Sequence, residues 1–129
     1  MKYLGIDFGS KRVGIAVSDE NGQMAFPHSV VLNDKNIFNN FEEIIKKEKI
    51  NKIIIGESKN FAGEANKIMA EIRIFKKELE EKAKLEIIFE PEFMTSQQAE
   101  QIQGKNEMHD ASAATIILQS YLDSHVHNL

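Results

Sequence analysis

The segment Gly5-Ile-Asp-Phe-Gly-Ser-Lys-Arg-Val-Gly-Ile-Ala-Val-Ser-Asp19 constrains this chain more than any other. Two alternating apolar runs, Tyr3 to Phe8 and Val13 to Val17, flank a tight Gly-Ser-Lys-Arg connection, which predicts a β-hairpin. Side chains alternate along a strand, so Asp7 shares a side with Tyr3 and Gly5 while Leu4, Ile6 and Phe8 point the other way. A carboxylate in a half-buried strand costs several kcal/mol unless something compensates it. A metal ion would do so, and flanking glycines would let a bulky ligand reach the backbone. The alternative is an edge-strand aspartate tied to backbone amides in a turn. The hairpin alone leaves both open.

Downstream, Met24 to Leu32 predicts a third strand, with Pro27 favouring an edge position. Asn33-Asp34 offers an N-cap for a helix to about Lys49, with Ile37, Phe41, Ile44 and Ile45 on one face. The run Ile53-Ile54-Ile55 before Gly56 predicts a strand buried on both sides. After a loop from Ser58 to Gly63, a helix to about Lys84 carries the stripe Ile68, Ile72, Phe75 and Leu79. Leu85 to Phe89 predicts a fifth strand, ended by Pro91. A capping box at Thr95-Ser-Gln-Gln98 opens a short helix to about Ile102, and a polar loop runs from Gln103 to Met108. The last helix is expected from about Asp110 to Leu122, with Ala114, Ile117, Leu118 and Tyr121 facing the core and a frayed tail from His125. This β-β-β-α-β-α-β-α-α order predicts an α/β fold: a mixed five-stranded sheet with helices on both faces, formed by residues 1–129 as one domain.

Composition narrows the classes. The chain has 129 residues, 42% hydrophobic and 28% charged, as in an ordinary globular domain. With no cysteine, disulfides and thiolate zinc sites are excluded and a reducing compartment fits. Met1-Lys2-Tyr3 runs straight into the first strand, and no apolar run reaches membrane-spanning length, so a cytoplasmic protein without a signal peptide is expected. The net charge of −4 gives no electrostatic support for nucleic-acid binding, although bound metals can carry positive charge into an acidic site.

The opening hairpin resembles that of the YqgF-like family, described as Holliday junction resolvases and as pre-16S rRNA nucleases, within the ribonuclease H-like superfamily. The resemblance extends to the segment His109-Asp-Ala-Ser-Ala-Ala-Thr-Ile-Ile-Leu-Gln-Ser-Tyr-Leu122, similar to the family's Asp-x-x-Ala-Ala…Ile-Leu-Gln-x-Tyr-Leu ending. In Phe89-Glu-Pro-Glu-Phe-Met-Thr-Ser96, Glu92 takes the place of the Glu in an Asp-Glu-Arg-Leu-Thr motif. Pro91 stands for the Asp and Phe93 for the Arg, which removes a bidentate phosphate contact. The resemblance implies a ribonuclease H-like fold and a metal-dependent nuclease. The phosphate loop of actin-like ATPases and sugar kinases also reads Asp-x-Gly-Ser/Thr, but that architecture needs two lobes, for which 129 residues leave no room.

Two-metal phosphodiester hydrolysis needs carboxylates from different elements converging on ions roughly 3.5–4 Å apart, and hard oxygen ligands select Mg²⁺ or Mn²⁺. Asp7, Glu92 and Asp110 are the catalytic and metal-ligating candidates. Glu92 follows the fifth strand, at the sheet edge where ligands of α/β proteins gather; its alternative is a solvated glutamate before a helix. Asp110 can instead cap the last helix, and the small residues Ala111, Ala113 and Ala114 would let that helix lie close on the sheet. Glu57, after Gly56, is a candidate fourth ligand or a substitute for Glu92, and its alternative is an ordinary loop glutamate. Lys11, Arg12 and Lys59 are candidates for phosphate contacts, and Asn60 with Gly63 keeps the Asn-x-x-Gly portion of the family's loop.

The resemblance implies pre-rRNA as substrate, cut at its 5′ end, with branched DNA as the alternative. It also implies ribosomal precursor particles as partners, and a monomer or weak dimer is expected. A catalytically weak RNA-binding assembly factor on the same fold is the third reading.

Overall fold

The computed structural model describes residues 1–57, 67–91 and 109–126. The hairpin forms as its alternation requires. Strands β1 (Tyr3–Phe8) and β2 (Arg12–Ser18) pair antiparallel, with Ile6 opposite Ile15 and Asp7 opposite Gly14. Strand β3 (Ala25–Leu32) lies antiparallel to β2, and the pairing slips between Ile15 and Ala16, next to Pro27. The β2–β3 turn is tied by Asp19, whose Oδ1 accepts the backbone N–H of Gln23 at 2.7 Å and of Met24 at 3.2 Å. Those bonds, that of Gln23 foremost, hold its carboxyl below the ordinary value.

Strand β4 (Lys52–Glu57) returns parallel to β1, and β5 (Ile87–Pro91) lies parallel to β4. Among the described residues the sheet order is β3-β2-β1-β4-β5, so Pro27 sits on an outer strand as its missing N–H demands. Strand β5 is displaced from the expected Leu85–Phe89 towards the C-terminus. Lys84 takes a left-handed backbone (φ 57°), Glu86 already receives the N–H of Ile53, and pairing continues until Pro91 lies opposite Glu57. On an outer strand, proline can end a ladder that it cannot continue.

Helices α1 (Ile37–Glu48) and α2 (Lys67–Ala83) cover one face of the sheet, and α3 (His109–Tyr121) covers the other. Leu4, Ile6, Ile53 and Ile55 pack with Phe41, Ile72 and Leu79 on the first face. Tyr3, Ile54, Ala114, Ile117 and Leu118 form the second core. Ile53, Ile54 and Ile55 are all fully buried, as expected of a central strand covered on both sides.

Two expectations at element ends are corrected. Helix α1 starts at Ile37 after Asn36, with no side-chain cap; Asp34 instead accepts the N–H of Asn36 at 2.9 Å, making a turn before the helix. The chain after Tyr121 is not frayed at His125. Leu122–Val126 widens into a π-helical turn, Leu122 is fully buried, and the His125 ring stacks on Tyr121 with centroids 4.5 Å apart. The short helix expected after Thr95 and the loop after Gln103 lie outside the described residues.

Helix α3 lies close on the sheet at Gly5. A β-carbon there would stand 2.7 Å from Cβ of Leu118 and 3.1 Å from the carbonyl oxygen of Ala114. Gly5→Ala should therefore lower unfolding stability by about 1–3 kcal/mol, the usual cost of overpacking a filled core. Urea denaturation of the two proteins checks this; an unchanged midpoint would mean that α3 moves off the sheet without cost.

Candidate active site

Asp7 is half-buried near the C-terminal end of β1. It belongs to the same face as Tyr3 and Gly5, which meet α3, so the alternation read from sequence holds. Across the sheet its neighbours are glycines. Gly14 is its partner on β2, and because Ile6 pairs with Ile55, Asp7 comes level with Gly56 on β4. In that row neither flanking strand places a side chain beside the carboxylate.

The direction of α3 follows from its contacts. The Tyr3 ring lies 5.9 Å from that of Tyr121, and Gly5 faces Ala114 and Leu118. Helix and strand therefore run antiparallel. From Gly5 to Asp7 the strand advances about 6.6 Å, which about four residues of helix match. Asp7 consequently stands level with the first turn of α3, whose second residue is Asp110. The positive end of the helix dipole also favours a carboxylate there. The side chain of Asp110 lies outside the described residues, as do Glu92, Lys59, Asn60 and Gly63. Among the described residues no group of three or more His, Cys, Asp or Glu side chains is gathered to hold a metal.

Two other acids of this edge are accounted for differently. Glu57 alternates onto the side of Ile53 and Ile55, against α1 and α2, away from the face of Asp7. Glu90, which sequence reading passed over, pairs with Gly56 on the α3 face and is only 7% exposed. Its Oε2 accepts the hydroxyl of Ser120 at 2.9 Å. Ser120 lies ten residues beyond Asp110, about 15 Å along the helix, so Glu90 fastens the far end of α3. An alternating strand that ends in Glu-Pro gives no hint of that partner.

The hairpin connection is shaped by a second residue whose role the sequence does not reveal. Asn33 donates from Nδ2 to the carbonyl of Gly9 at 2.8 Å, and its backbone N–H donates to the carbonyl of Lys11 at 2.9 Å. It thereby clamps the connection that presents Lys11 and Arg12, both exposed, next to the end of β1. Gly9 is required in the same turn, because a β-carbon there would stand 2.5 Å from the carbonyl oxygen of Arg12. On sequence alone Asn33 reads as a helix cap.

The family described as RuvX, Holliday junction resolvase, matches residues 1–124. A protein named "Putative pre-16S rRNA nuclease" from Sulfurihydrogenibium sp. (strain YO3AOP1) is 38% identical over 130 residues, covering 95% of this chain and 90% of that protein. One of the same name from Caldanaerobacter subterraneus subsp. tengcongensis is 33% identical over 135 residues, covering 96% and 97% of the two chains. Among solved structures, T. thermophilus RuvC in complex with a Holliday junction substrate is similar with a TM-score of 0.64 at 16% identity, covering 98% of this chain and 97% of that one. The fowlpox virus resolvase bound to Holliday junction DNA gives a TM-score of 0.61 at 14% identity, covering 98% and 99%. At such identities the likeness concerns the fold, which is ribonuclease H-like, as the sequence led one to expect.

Asn33→Ala should remove the bond to Gly9 and lower stability by about 1 kcal/mol, the usual net worth of one such bond. Backbone amide exchange should quicken within the connection from Gly9 to Lys11 while the β1–β4 ladder stays protected. Unchanged exchange in that connection would show that it holds its shape without the clamp.

Proposed function

The chain belongs to the RuvX Holliday junction resolvase family, and on that premise we propose that it is a divalent-metal-dependent nuclease of the cytoplasm whose substrate is the 5′ region of pre-16S rRNA. One observation carries the site assignment: Asp7, flanked across the sheet by Gly14 and Gly56, stands level with the helix turn that holds Asp110. The donor chemistry fits hard cations, since the candidate ligands are carboxylates and the chain has no cysteine. Asp7, Asp110 and Glu92 would hold Mg²⁺ or Mn²⁺. Such ions, when bound, lower the pKa of water and neutralise charge on the leaving oxygen. Glu57 is left out of this set because its strand turns it to the opposite face.

The chain's own residues divide the remaining work. Lys11 and Arg12, held by the Asn33 clamp, would meet the phosphate backbone, and Lys59 and Asn60 would extend that contact. Phe93 stands where the family motif carries an arginine, so less of the binding can come from bidentate contact and more must come from the hairpin. The relatives' names favour pre-rRNA as substrate, and the family's description favours a four-way DNA junction as the second reading.

Purified protein with Mn²⁺ should cut a pre-16S rRNA fragment in preference to junction or single-stranded DNA. Asp7→Asn and Asp110→Asn should each abolish cleavage and leave RNA affinity within about twofold, because the acids act on the ions and not on the backbone. Neutralising Lys11 and Arg12 should weaken binding and flatten its salt dependence, the slope falling by nearly one for each lost phosphate contact. Activity equal in wild type and Asp7→Asn would sink the assignment. Inactivity on every substrate, with rRNA maturation still supported in cells, would favour an assembly factor that has kept the fold.

Metal linkage gives an independent readout. Mg²⁺ or Mn²⁺ should raise the melting temperature of the wild type by binding the native state, and Asp7→Asn should lose most of that rise. Equal stabilisation of both proteins would remove Asp7 from the ligand set.

A further inference from the structure

On the face of the sheet away from Asp7, a shallow groove of about 300 Å³ runs between α1 and α2. Its floor is apolar and largely aromatic. Phe75 lies between Phe8 and Phe38, with ring centroids 5.0 and 5.4 Å away, and Ile37 continues the surface. One wall comes from α2, where Glu71, Ile74 and Glu78 are exposed at helical spacing beside buried Phe75. Ile74 is 63% exposed, the highest value among the large apolar side chains of the described core-forming helices. Asp34 closes the end near the hairpin. Among the described residues that line the groove, three are acids and none is lysine or arginine.

This pattern selects an occupant. Three carboxylates around the groove disfavour the phosphates of nucleic acid, and a second copy of this chain would bring further net negative charge. The volume lies at the bottom of the range for small-molecule sites. Apolar floor and acidic rim together complement a segment that offers one large apolar side chain between cationic ones. The aromatic cluster already attracts a cation of its own: Nζ of Lys82 stands 5.6 Å from the Phe38 ring centroid. We propose that this groove docks a short basic segment of a partner protein, seating a leucine or phenylalanine on Phe38, Ile74 and Phe75 with flanking lysines or arginines on Asp34, Glu71 and Glu78. The groove opens on the other face from Asp7, and the variants below lie on α2, away from the Asn33 clamp at its hairpin end.

Two fluorescent peptides of equal charge test it. One flanks a leucine and a phenylalanine with lysines and arginines; the other has serines in place of the apolar pair. Fluorescence anisotropy should give micromolar binding for the first and binding weaker by about tenfold or more for the second, since a buried apolar anchor dominates such contacts. Ile74→Ser, and separately Glu71→Lys with Glu78→Lys, should each weaken the first peptide about tenfold, with melting temperature and nuclease activity unchanged. These positions are exposed, so the variants should fold. Equal affinity for the two peptides would reduce the attraction to diffuse charge and overturn the proposal. So would unchanged affinity in Ile74→Ser, or displacement of the peptide by a single-stranded RNA oligonucleotide, which would give the groove to nucleic acid.

Discussion

The seating of α3 on β1 at Gly5 is the contact on which the arrangement of this protein depends. Leu118 and the carbonyl of Ala114 occupy the space a side chain at Gly5 would need, so the helix rests against strand backbone. Ala111 and Ala114 are fully buried along the same helix and keep that approach possible. The helix is then fixed across the sheet by polar bonds at its far end. Gln119 accepts the N–H of Ala25 at 2.8 Å and donates to the carbonyl of Gln23 at 3.1 Å, while Ser120 donates to Glu90 on the opposite outer strand. A helix held between β3 and β5 in this way cannot slide by a turn without breaking those bonds. Its first turn is therefore delivered to the level of Asp7.

Much of this was legible in the sequence because it rests on periodicity. Alternation in β1 put Asp7 on the side of Tyr3 and Gly5, the unbroken Ile53-Ile54-Ile55 run marked a strand buried on both sides, and Pro27 marked an outer one. The illegible parts depend on partners distant in sequence. Asn33 carries the signature of a helix cap, yet its amide is drawn to Gly9, 24 residues away. Glu90 binds Ser120 across 30 residues, and no local pattern encodes that. The end of α1, expected at about Lys49, falls there without the usual stop signal. α1 stops at Lys49 in a left-handed conformation (φ 55°), where glycine or asparagine is the usual signal. The N–H of Ile50 bonds back to the carbonyl of Ile45 at 3.1 Å, and burial of Ile50 offsets the strain.

The candidate site was legible to a different degree. That an acid sat among glycines was plain from Gly5 and Gly9, its neighbours in the chain. The glycines that matter for the space beside Asp7 are Gly14 and Gly56, brought level with it by the register of two other strands. Register is set by the hydrophobic pattern of the whole sheet. A slip of one residue in β4 would set Ile55 or Glu57 beside the aspartate, closing the space or adding a like charge. The glycine row is thus a property of the pairing and not of the hairpin motif.

The net charge of −4 looked unfavourable for a protein that handles nucleic acid. The structure shows why a whole-chain sum is a poor guide here. Exposed charges act over about a Debye length, roughly 8–10 Å in physiological salt, and stacked layers of a fold are themselves about 10 Å apart. Glu71 and Glu78 border the groove on α2, across the sheet from the face that carries Asp7, whereas Asp34 follows Asn33, whose N–H bonds to the carbonyl of Lys11. Lys11 and Arg12 stand at the hairpin beside the end of β1. From the Asp7 edge the carboxylates of α2 are therefore largely screened. The sheet thus separates the acids of α2 from the face of Asp7, and a sum over the whole chain describes neither side of it.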